Sequence, residues 1–274
     1  MRQSKSSAGV AILGAGNIGR AIAEGLVAAD SHAPAAVHVT RRHTERVADL
    51  AERGFRVSSD NPGAVAACDT VIVAVQPQAL DAVLMDIAPH VDAGRHLLVS
   101  VVSGASIAAI RRHVGPDVAI VRAMPNTAVA LRESMTCLAA EPAHVGALDR
   151  VAELFRAVGA TLVVEEEHMV PATALCACGV AFFLRAVRAA CQGGIEIGFH
   201  PDEALRMAAQ TALGAAALVR DQGRHPEREI DSVTTPRGCT IAGLNEMEHR
   251  GFSSAFIKGI TTSAVKAESL YADD

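Results

Sequence analysis

The fold is decided by the run Val10-Ala11-Ile12-Leu13-Gly14-Ala15-Gly16-Asn17-Ile18-Gly19, near the start of this 274-residue chain. Its apolar first half predicts a buried strand, and the helical spacing from Ile18 onward predicts a helix. Between them, Gly14 permits a tight turn, Gly16 lets the backbone approach a pyrophosphate, and Gly19 lets helix and strand pack closely. The free N–H groups of the helix start favour an anion. The run therefore predicts a dinucleotide-binding unit, with a ligand-free glycine turn as the alternative.

The first 165 residues alternate strand and helix patterns, which is typical of a doubly wound parallel sheet. The predicted strands are residues 10–13, 37–40, 70–75, 97–102, 119–122 and 161–164. The predicted helices are residues 18–29, 44–53, 78–88 and 106–113. After the acidic run 165–167, which we interpret as a linker, the pattern is almost entirely helical. We therefore predict an α/β, Rossmann-like dinucleotide-binding domain at residues 1–165 and an all-α domain at residues 166–274.

The helical half contains an unusual helix pattern at residues 204–220, where small residues occur nearly all round. A helix with so little polar surface is predicted to be buried, and burial in so short a segment favours coverage by a second chain. A self-contained helical bundle is the alternative. The longest uncharged stretch, residues 169–184, is shorter than the roughly 20 residues of a membrane span. We expect a buried core helix there and no membrane partner.

The composition excludes several kinds of partner. Lys+Arg 25 against Asp+Glu 30 gives a formal net charge of -5, without the basic excess that nucleic acid requires. Six scattered cysteines indicate reduced thiols in the cytoplasm rather than a disulfide framework. The polar residues 1–9 lack the hydrophobic core of a signal peptide. The Cys and His spacings are not typical of a metal site, so we expect no bound metal.

The end of the second predicted strand bears on the choice of cofactor. An acidic residue there would bind the ribose 2′-hydroxyl of NAD(H), whereas arginine suits the 2′-phosphate of NADP(H). The run is Thr40-Arg41-Arg42-His43-Thr44, with no carboxylate before Glu45. We predict that Arg41, Arg42 and the hydroxyl of Thr40 bind this phosphate, so that NADP(H) is preferred and NAD(H) is the second option. An ordinary solvated loop is the alternative.

Two proline-bearing turns follow later strands of the predicted sheet. Ala74-Val75-Gln76-Pro77 closes the third strand, and Met124-Pro125-Asn126-Thr127 closes the fifth. The carboxyl ends of the strands line the ligand crevice of an open parallel sheet. The turns are therefore predicted to lie at the nicotinamide half of the cofactor, although rigid turns without a ligand fit the spacing equally well.

The helical half carries a hydroxyl-rich loop that runs into a helix. Its sequence is Thr234-Thr235-Pro236-Arg237-Gly238-Cys239-Thr240. A helix start presents backbone N–H groups to an anion and can place side-chain hydroxyls beside them. A small carboxylate substrate would fit this arrangement, and a plain helix N-cap is the alternative.

The chain resembles the pyrroline-5-carboxylate reductase family from about residue 9 to residue 270. The matching pieces are residues 14–19, Asn61, residues 74–78, Met124-Pro125-Asn126-Thr127, His225-Pro226 and residues 233–244, followed by Glu248, Gly251 and Phe252. The resemblance implies NAD(P)H-dependent reduction of the cyclic imine 1-pyrroline-5-carboxylate to L-proline, the last step of proline biosynthesis. It also implies a C-terminal helical domain that forms a homodimer, and often a decamer.

The same resemblance assigns roles to single residues. It places Thr240, as the catalytic residue, beside the ring nitrogen of the bound imino acid, where a hydroxyl can assist protonation. The substrate-binding set that it implies is Thr235, Pro236, Arg237, Gly238, Cys239 and Thr240. The cofactor-binding set, together with the motifs above, is Gly14, Ala15, Gly16, Asn17, Ile18, Gly19, Thr40, Arg41, Arg42, Asn61, Ala74, Val75, Gln76, Pro77, Met124, Pro125 and Asn126.

Four departures from the family pattern cluster around the predicted site. Gln76 replaces the usual lysine, Cys176-Ala177-Cys178-Gly179-Val180 replaces Ser-Gly-Ser-Gly-Pro, Arg237 replaces glycine, and Cys239 replaces threonine or alanine. If that glycine needs a positive φ, Arg237 is strained by about 1–2 kcal/mol; alternatively, its guanidinium binds the substrate carboxylate. The departures leave two other functions open: a reductase of a different cyclic imino acid, and a catalytically silent NADP-binding sensor.

Overall fold

The computed structural model of the chain describes residues 9–271. The described residues form two compact units, residues 9–177 with 263–271, and residues 178–262. The polar start, on which the absence of a signal peptide was predicted, lies outside the described residues except for residue 9.

The first unit is built on an eight-stranded sheet in the order β3-β2-β1-β4-β5-β6-β7-β8. The strands are β1 (Val10–Leu13), β2 (Val37–Thr40), β3 (Arg56–Ser58), β4 (Thr70–Val73), β5 (Leu97–Ser100), β6 (Ala119–Met124), β7 (Ser134–Ala140) and β8 (Gly159–Val163). Neighbouring strands are parallel except for β6 and β7. The predicted doubly wound sheet is therefore confirmed, with β1 and β4 at the point where the strand order reverses.

Helices cover both faces of this sheet. They are α1 (Asn17–Ala28), α2 (Ala48–Glu52), α3 (Asn61–Ala66), α4 (Leu80–Ile87), α5 (Ile107–Val114), α6 (Val145–Arg156) and α7 (Met169–Ala172), which continues into π-helical turns at Thr173–Cys178. Successive strand residues point to opposite faces, so Ile12 packs in one core with Ile22 of α1, and Leu13 in the other with Leu80 of α4. Each fully buried side chain of this size contributes about 2 kcal/mol.

Several predicted boundaries differ from the observed ones. The strands predicted at residues 70–75 and 97–102 each end two residues early, because the chain turns towards the sheet edge after Val73 and Ser100. The helix predicted at residues 44–53 is a 3-10 turn, Thr44–Val47, followed by the short helix α2. β3, β7, α3 and α6 were not predicted.

The second unit is helical, as predicted. Its helices are α8 (Gly179–Glu196), α9 (Pro201–Gln222), α10 (Pro226–Val233), α11 (Cys239–His249) and α12 (Phe252–Glu268), the last of which ends in the first unit. A Cβ on Gly194 of α8 would lie 3.0 Å from the Cβ of Ala204 of α9, so the two helices approach closely there.

The small-residue helix α9 is exposed within the single chain, as expected for a helix that a second chain covers. Within the single chain only Ala204 of α9 is buried, while Leu213 is 58% exposed and Phe183 of α8 is 61% exposed. A self-contained bundle would cover such apolar side chains, so the structure argues against that alternative. Coverage by a second chain stays the consistent explanation.

The uncharged stretch lies within a longer helical segment than the sequence indicated. The helical run Glu166–Glu196 is long and apolar enough to cross a membrane by length and composition, a criterion that core helices of soluble proteins also meet. Its start is packed, since Met169, Ala172 and Ala174 are buried, but most residues after Gly179 are exposed in the single chain. The predicted buried core helix is therefore correct only for the first part of the stretch.

One buried histidine makes the fold sensitive to acid. The side chain of His32, after α1, is 5% exposed, and this burial lowers its pKa. Below about pH 6.5 the unfolded chain binds a proton there that the folded chain does not, so the free energy of unfolding falls by up to about 1.4 kcal/mol per pH unit until the folded pKa is reached.

We therefore expect His32→Gln to reduce the loss of unfolding free energy between about pH 7.5 and about pH 5.5, measured by urea titration. Burial also lowers the pKa of His38, so part of the pH dependence should persist. His90→Gln, at an exposed histidine, is the matched control and should leave the pH dependence unchanged. An unaltered slope in the His32 variant would contradict the assignment.

Candidate cofactor and substrate sites

The glycine loop joins the carboxyl end of β1 to the start of α1. Gly14 has φ +100°, and a Cβ there would lie 2.6 Å from the carbonyl oxygen of Ala74. A Cβ on Gly19 would overlap the carbonyl oxygen of Gly14. Both positions therefore require glycine for packing within the protein. By contrast, no described residue beyond the two chain neighbours of Gly16 lies within 4 Å of a Cβ at this position, which leaves room for a ligand against the backbone.

The start of α1 is suited to an anion. Gly16 is its N-cap and makes no side-chain capping bond, and the first turn contains no acidic residue. The first N–H groups of a helix lack intrahelical acceptors and lie at the positive end of its dipole. Asn17 and Ile18 lie at this start, so the residues present fit the pyrophosphate of a dinucleotide.

The end of β2 holds the glycine loop in place. The carbonyl oxygen of Thr40 accepts hydrogen bonds from the backbone N–H groups of Gly14 and Ala15, at 3.1 and 2.8 Å. The guanidinium of Arg41 donates to the carbonyl oxygen of Ala15, and Arg42 is exposed at the same strand end. Arg41 therefore contacts the loop and Arg42 follows it at the same strand end, where the sequence predicts the binding site of the 2′-phosphate.

Thr40 and Asn61 form one polar unit. Thr40 is 1% exposed and its hydroxyl donates to the Oδ1 of Asn61 at 2.6 Å. The Nδ2 of Asn61 donates in turn to Asp86 at 3.1 Å. In this structure the hydroxyl of Thr40 therefore positions the side chain of Asn61 at the carboxyl end of β2.

The turn after β4 lies at the same edge. The N–H of Ala74 donates to the carbonyl oxygen of Leu13 at 2.8 Å, which ties this turn to β1. Val75 is half-buried and Gln76 is exposed, immediately before a 3-10 turn that begins at Pro77. These residues lie where the nicotinamide half was predicted.

The turn after β6 is held by hydrogen bonds of Asn126. Met124 and Pro125 are buried, and Asn126 is 9% exposed. The Oδ1 of Asn126 accepts from the N–H of Ala128 at 3.0 Å, and its Nδ2 donates to the carbonyl oxygen of Cys176 at 3.1 Å. With its amide engaged on both sides, Asn126 shapes this turn.

An ion pair supports the same end of β6, and sequence reasoning missed it. Arg122 is 4% exposed and its Nη1 lies 3.2 Å from the Oε1 of Glu166, an oxygen that also accepts from the N–H of Ile107 at 2.7 Å. Burial lowers the pKa of Arg122, and the attraction of Glu166 opposes this. The place of Glu166 in an acidic run suggested a solvated linker residue. Its contacts show instead that it is a structural partner of the sheet.

In the second unit, the hydroxyl-rich loop forms a tight turn before α11. The N–H of Gly238 donates to the carbonyl oxygen of Thr235 at 2.9 Å, with Pro236 and Arg237 between them. Arg237 has φ +59°, the left-handed region that favours glycine. The condition for strain at Arg237 is thus met, and its cost is about 1 kcal/mol or more.

The start of α11 is uncapped. Its N-cap is Gly238, which makes no side-chain capping bond. Cys239 is exposed and Thr240 is half-buried, and both lie in the first turn. The arrangement offers free backbone N–H groups and the Thr240 hydroxyl to a small anion, as the sequence predicted.

The described residues, 9–271, include side chains of the types that bind metals. They contain no group of three or more His, Cys, Asp and Glu side chains that could hold a metal ion. The six cysteines are free thiols.

In the first unit, a helix start with free N–H groups lies where the strand order of the parallel sheet reverses, which is the arrangement of dinucleotide-dependent oxidoreductases. The second unit is helical and carries a loop that offers free N–H groups to an anion. The family model described as "Pyrroline-5-carboxylate reductase dimerisation" matches residues 166–270. The one described as "NADP oxidoreductase coenzyme F420-dependent" matches residues 9–104.

Two curated relatives from Dictyostelium discoideum match nearly the whole chain. Pyrroline-5-carboxylate reductase 1 is 53% identical over 96% of this chain, which spans only 50% of that relative's length. Pyrroline-5-carboxylate reductase 2 is 46% identical over 96% of this chain and 93% of the relative. The crystal structure of Plasmodium falciparum pyrroline carboxylate reductase with NADP bound has the same fold, with a TM-score of 0.89 and 21% identity over 98% of this chain and 100% of that chain.

The chain belongs to the pyrroline-5-carboxylate reductase family. Membership confirms the resemblance and, with the fold of the Plasmodium structure, the predicted combination of a Rossmann-like domain and a helical dimerisation domain. A dimerisation domain also explains why Phe183 and Leu213 are exposed in the single chain.

Proposed function

We propose that this protein reduces 1-pyrroline-5-carboxylate to L-proline with NADPH, as an oxidoreductase acting on a C=N bond. One observation within the chain carries the proposal: the uncapped start of α11 places free N–H groups beside the hydroxyl of Thr240. Identities of 53% and 46% to two pyrroline-5-carboxylate reductases support the same substrate. They do not favour a reductase of another cyclic imino acid or a silent sensor.

The cofactor is held by the first unit. The N–H groups at the start of α1 hold the pyrophosphate, and Arg41 and Arg42 attract the 2′-phosphate, so NADP(H) is preferred and NAD(H) is used less well. The rest of the proposed set follows the carboxyl ends of the strands: Gly14, Ala15, Gly16, Asn17, Ile18, Gly19, Thr40, Asn61, Ala74, Val75, Gln76, Pro77, Met124, Pro125 and Asn126. When bound, NADPH supplies the hydride.

The substrate is held by the loop before α11. The free backbone N–H groups of the first turn of α11, at Cys239 and Thr240, bind the carboxylate, and the Thr240 hydroxyl donates to the ring nitrogen. A hydrogen bond to this nitrogen withdraws electron density from the C=N carbon, which then accepts hydride more readily. The loop thereby orients the ring and assists proton delivery to the nitrogen.

The proposal is tested by following NADPH oxidation with pyrroline-5-carboxylate and with a six-membered cyclic imino acid. We expect the higher kcat/KM for the five-membered substrate, and a lower KM for NADPH than for NADH. Preference for the six-membered ring, or no turnover with either acid while NADPH binds, would overturn the proposal.

The same proposal extends to assembly and location. Residues 1–165 form the cofactor domain and residues 166–274 the domain that joins two chains, with a decamer as the larger assembly. The enzyme acts in the cytoplasm, without nucleic-acid or membrane partners. Analytical ultracentrifugation distinguishes a dimer from a decamer.

Arg237 provides a prediction that separates backbone strain from substrate binding. Arg237→Gly and Arg237→Ala both remove the guanidinium, but only glycine relieves the positive φ. We expect the free energy of unfolding of the glycine variant to be about 1 kcal/mol higher than that of the alanine variant. If the guanidinium binds the substrate carboxylate, both variants raise KM equally, by about 10-fold. Equal stabilities in urea titrations would contradict the strained turn.

A further inference from the structure

Two cysteines from distant parts of the sequence lie together in the first unit. The sulfur of Cys137 on β7 is 3.9 Å from the sulfur of Cys176, in the π-helical turns after α7. Cys137 is 3% exposed, while Cys176 is half-buried. Both belong to an apolar cluster with Met124, Met169 and neighbouring residues. Neither thiol has a role in the proposed reduction.

The two thiols are chemically unequal. The hydrogen bond between the two sulfurs lowers the pKa of Cys176 to about 7, although burial opposes the shift. The same hydrogen bond and burial raise the pKa of Cys137. Cys176 is therefore both the more accessible sulfur and the one that ionises near neutral pH, which are the properties of an attacking thiolate.

We propose that Cys137 and Cys176 form a reversible oxidation site, at which a peroxide converts the two thiols to a disulfide. The Cys176 sulfur attacks a peroxide oxygen, the O–O bond breaks, and a sulfenic acid forms while the leaving oxygen takes a proton. The Cys137 sulfur then attacks the Cys176 sulfur, the S–O bond breaks, and the departing hydroxide takes the Cys137 proton. With hydrogen peroxide, two thiols lose two electrons and two protons, and two waters form.

Forming the disulfide requires a small movement of the two sulfurs towards each other. A disulfide is about 2.05 Å long, so the sulfurs must approach by about 2 Å. Residues Thr173–Cys178 form π-helical turns, whose backbone hydrogen bonds span five residues instead of the four of an α-helix. Such turns are rare and are frequent at functional sites. Cys176 thus lies in a segment of irregular helical bonding, whereas Cys137 lies in a strand paired on both sides.

The movement of Cys176 also affects the proposed cofactor-binding turn after β6. The carbonyl oxygen of Cys176 accepts from the Nδ2 of Asn126 at 3.1 Å, and Asn126 ends the proposed cofactor turn after β6. Drawing Cys176 towards β7 displaces this acceptor and loosens Asn126. We therefore expect oxidation to weaken NADPH binding by about 3-fold or more, a consequence that rests on the proposed cofactor site.

The test oxidises the full-length protein with hydrogen peroxide and maps its thiols by mass spectrometry of non-reduced digests. We expect a peptide pair joined through Cys137 and Cys176, lost in Cys137→Ser and Cys176→Ser and restored to thiols by dithiothreitol. Cys178→Ser changes a half-buried cysteine of the same segment and should still form the bond. Sulfinic acid at Cys176 without a disulfide, or pairing of other cysteines, would overturn the site.

NADPH titration of the same samples, followed by fluorescence, tests the coupling. Weaker binding after oxidation that recovers with dithiothreitol supports it, and unchanged affinity in a fully disulfide-bonded sample overturns it. If the reduced protein does not bind NADPH at all, the proposed cofactor site is wrong, while the disulfide map still decides the oxidation site.

Discussion

Thr240→Val is expected to lower kcat for pyrroline-5-carboxylate by about 100-fold or more, with the affinity for NADPH unchanged. Valine keeps the shape of threonine but removes the hydroxyl that donates to the ring nitrogen, and a positioned proton donor typically contributes about 10²–10⁴-fold. Thr240 is half-buried in the first turn of α11, so the isosteric change should leave the helix intact. The measurement is steady-state NADPH oxidation, with NADPH affinity determined separately by fluorescence.

Two further variants locate this effect at the hydroxyl. Thr240→Ser retains a donor and should keep kcat within about 10-fold of the parent. Thr262→Val makes the same change at an exposed threonine of α12 and should leave kcat unaltered. A near-normal kcat in Thr240→Val would show that the proton comes from elsewhere, and a loss in both valine variants would indicate a general effect on stability.

The sheet centre could be predicted because its sequence signal is local. β1 and β2 are short strands rich in β-branched residues and covered on both faces, and their predicted bounds agree with the observed ones. β7 was missed because its polar residues are buried: the hydroxyls of Ser134 and Thr136 lie 3.2 Å apart, and Ser134 also accepts from the N–H of Asn126. Hydrogen bonds made in the folded chain thus satisfy residues that read as exposed in the sequence.

The predicted site residues also divide into those with a local sequence signal and those whose role depends on distant parts of the chain. The need for glycine at Gly14 and Gly19 follows from a local strand–turn–helix pattern, and the structure supplies the contacts that enforce it. The fixed amide of Asn126 depends on the carbonyl of Cys176, which is 50 residues away in sequence. The strain at Arg237 could be stated only as a condition, because φ is not written in the residue type. Such features require the tertiary structure.

Gly16→Ala is expected to weaken NADPH binding by about 100-fold, or about 2.7 kcal/mol, while the free energy of unfolding changes by less than about 0.5 kcal/mol. The backbone at Gly16 has φ -78° and ψ -163°, which alanine adopts readily. Apart from Gly16 itself and its two chain neighbours, no residue of the described chain has an atom within 4 Å of the added methyl group. The methyl group can therefore clash only with a molecule held at the start of α1, and the proposed pyrophosphate is that molecule.

A matched control is present on α6, and its comparison with the glycine loop decides what the loop binds. A Cβ on Gly146 also meets nothing within 4 Å outside its own helix, so Gly146→Ala should leave NADPH affinity unchanged and raise the free energy of unfolding by at most about 1 kcal/mol. Gly14→Ala, at φ +100° and against the carbonyl of Ala74, should instead destabilise the fold itself. Calorimetric titration with NADPH and urea unfolding separate the three variants. If Gly16→Ala bound NADPH with the affinity of the parent, no part of the cofactor would lie against the backbone at Gly16. The pyrophosphate would then bind away from this helix start.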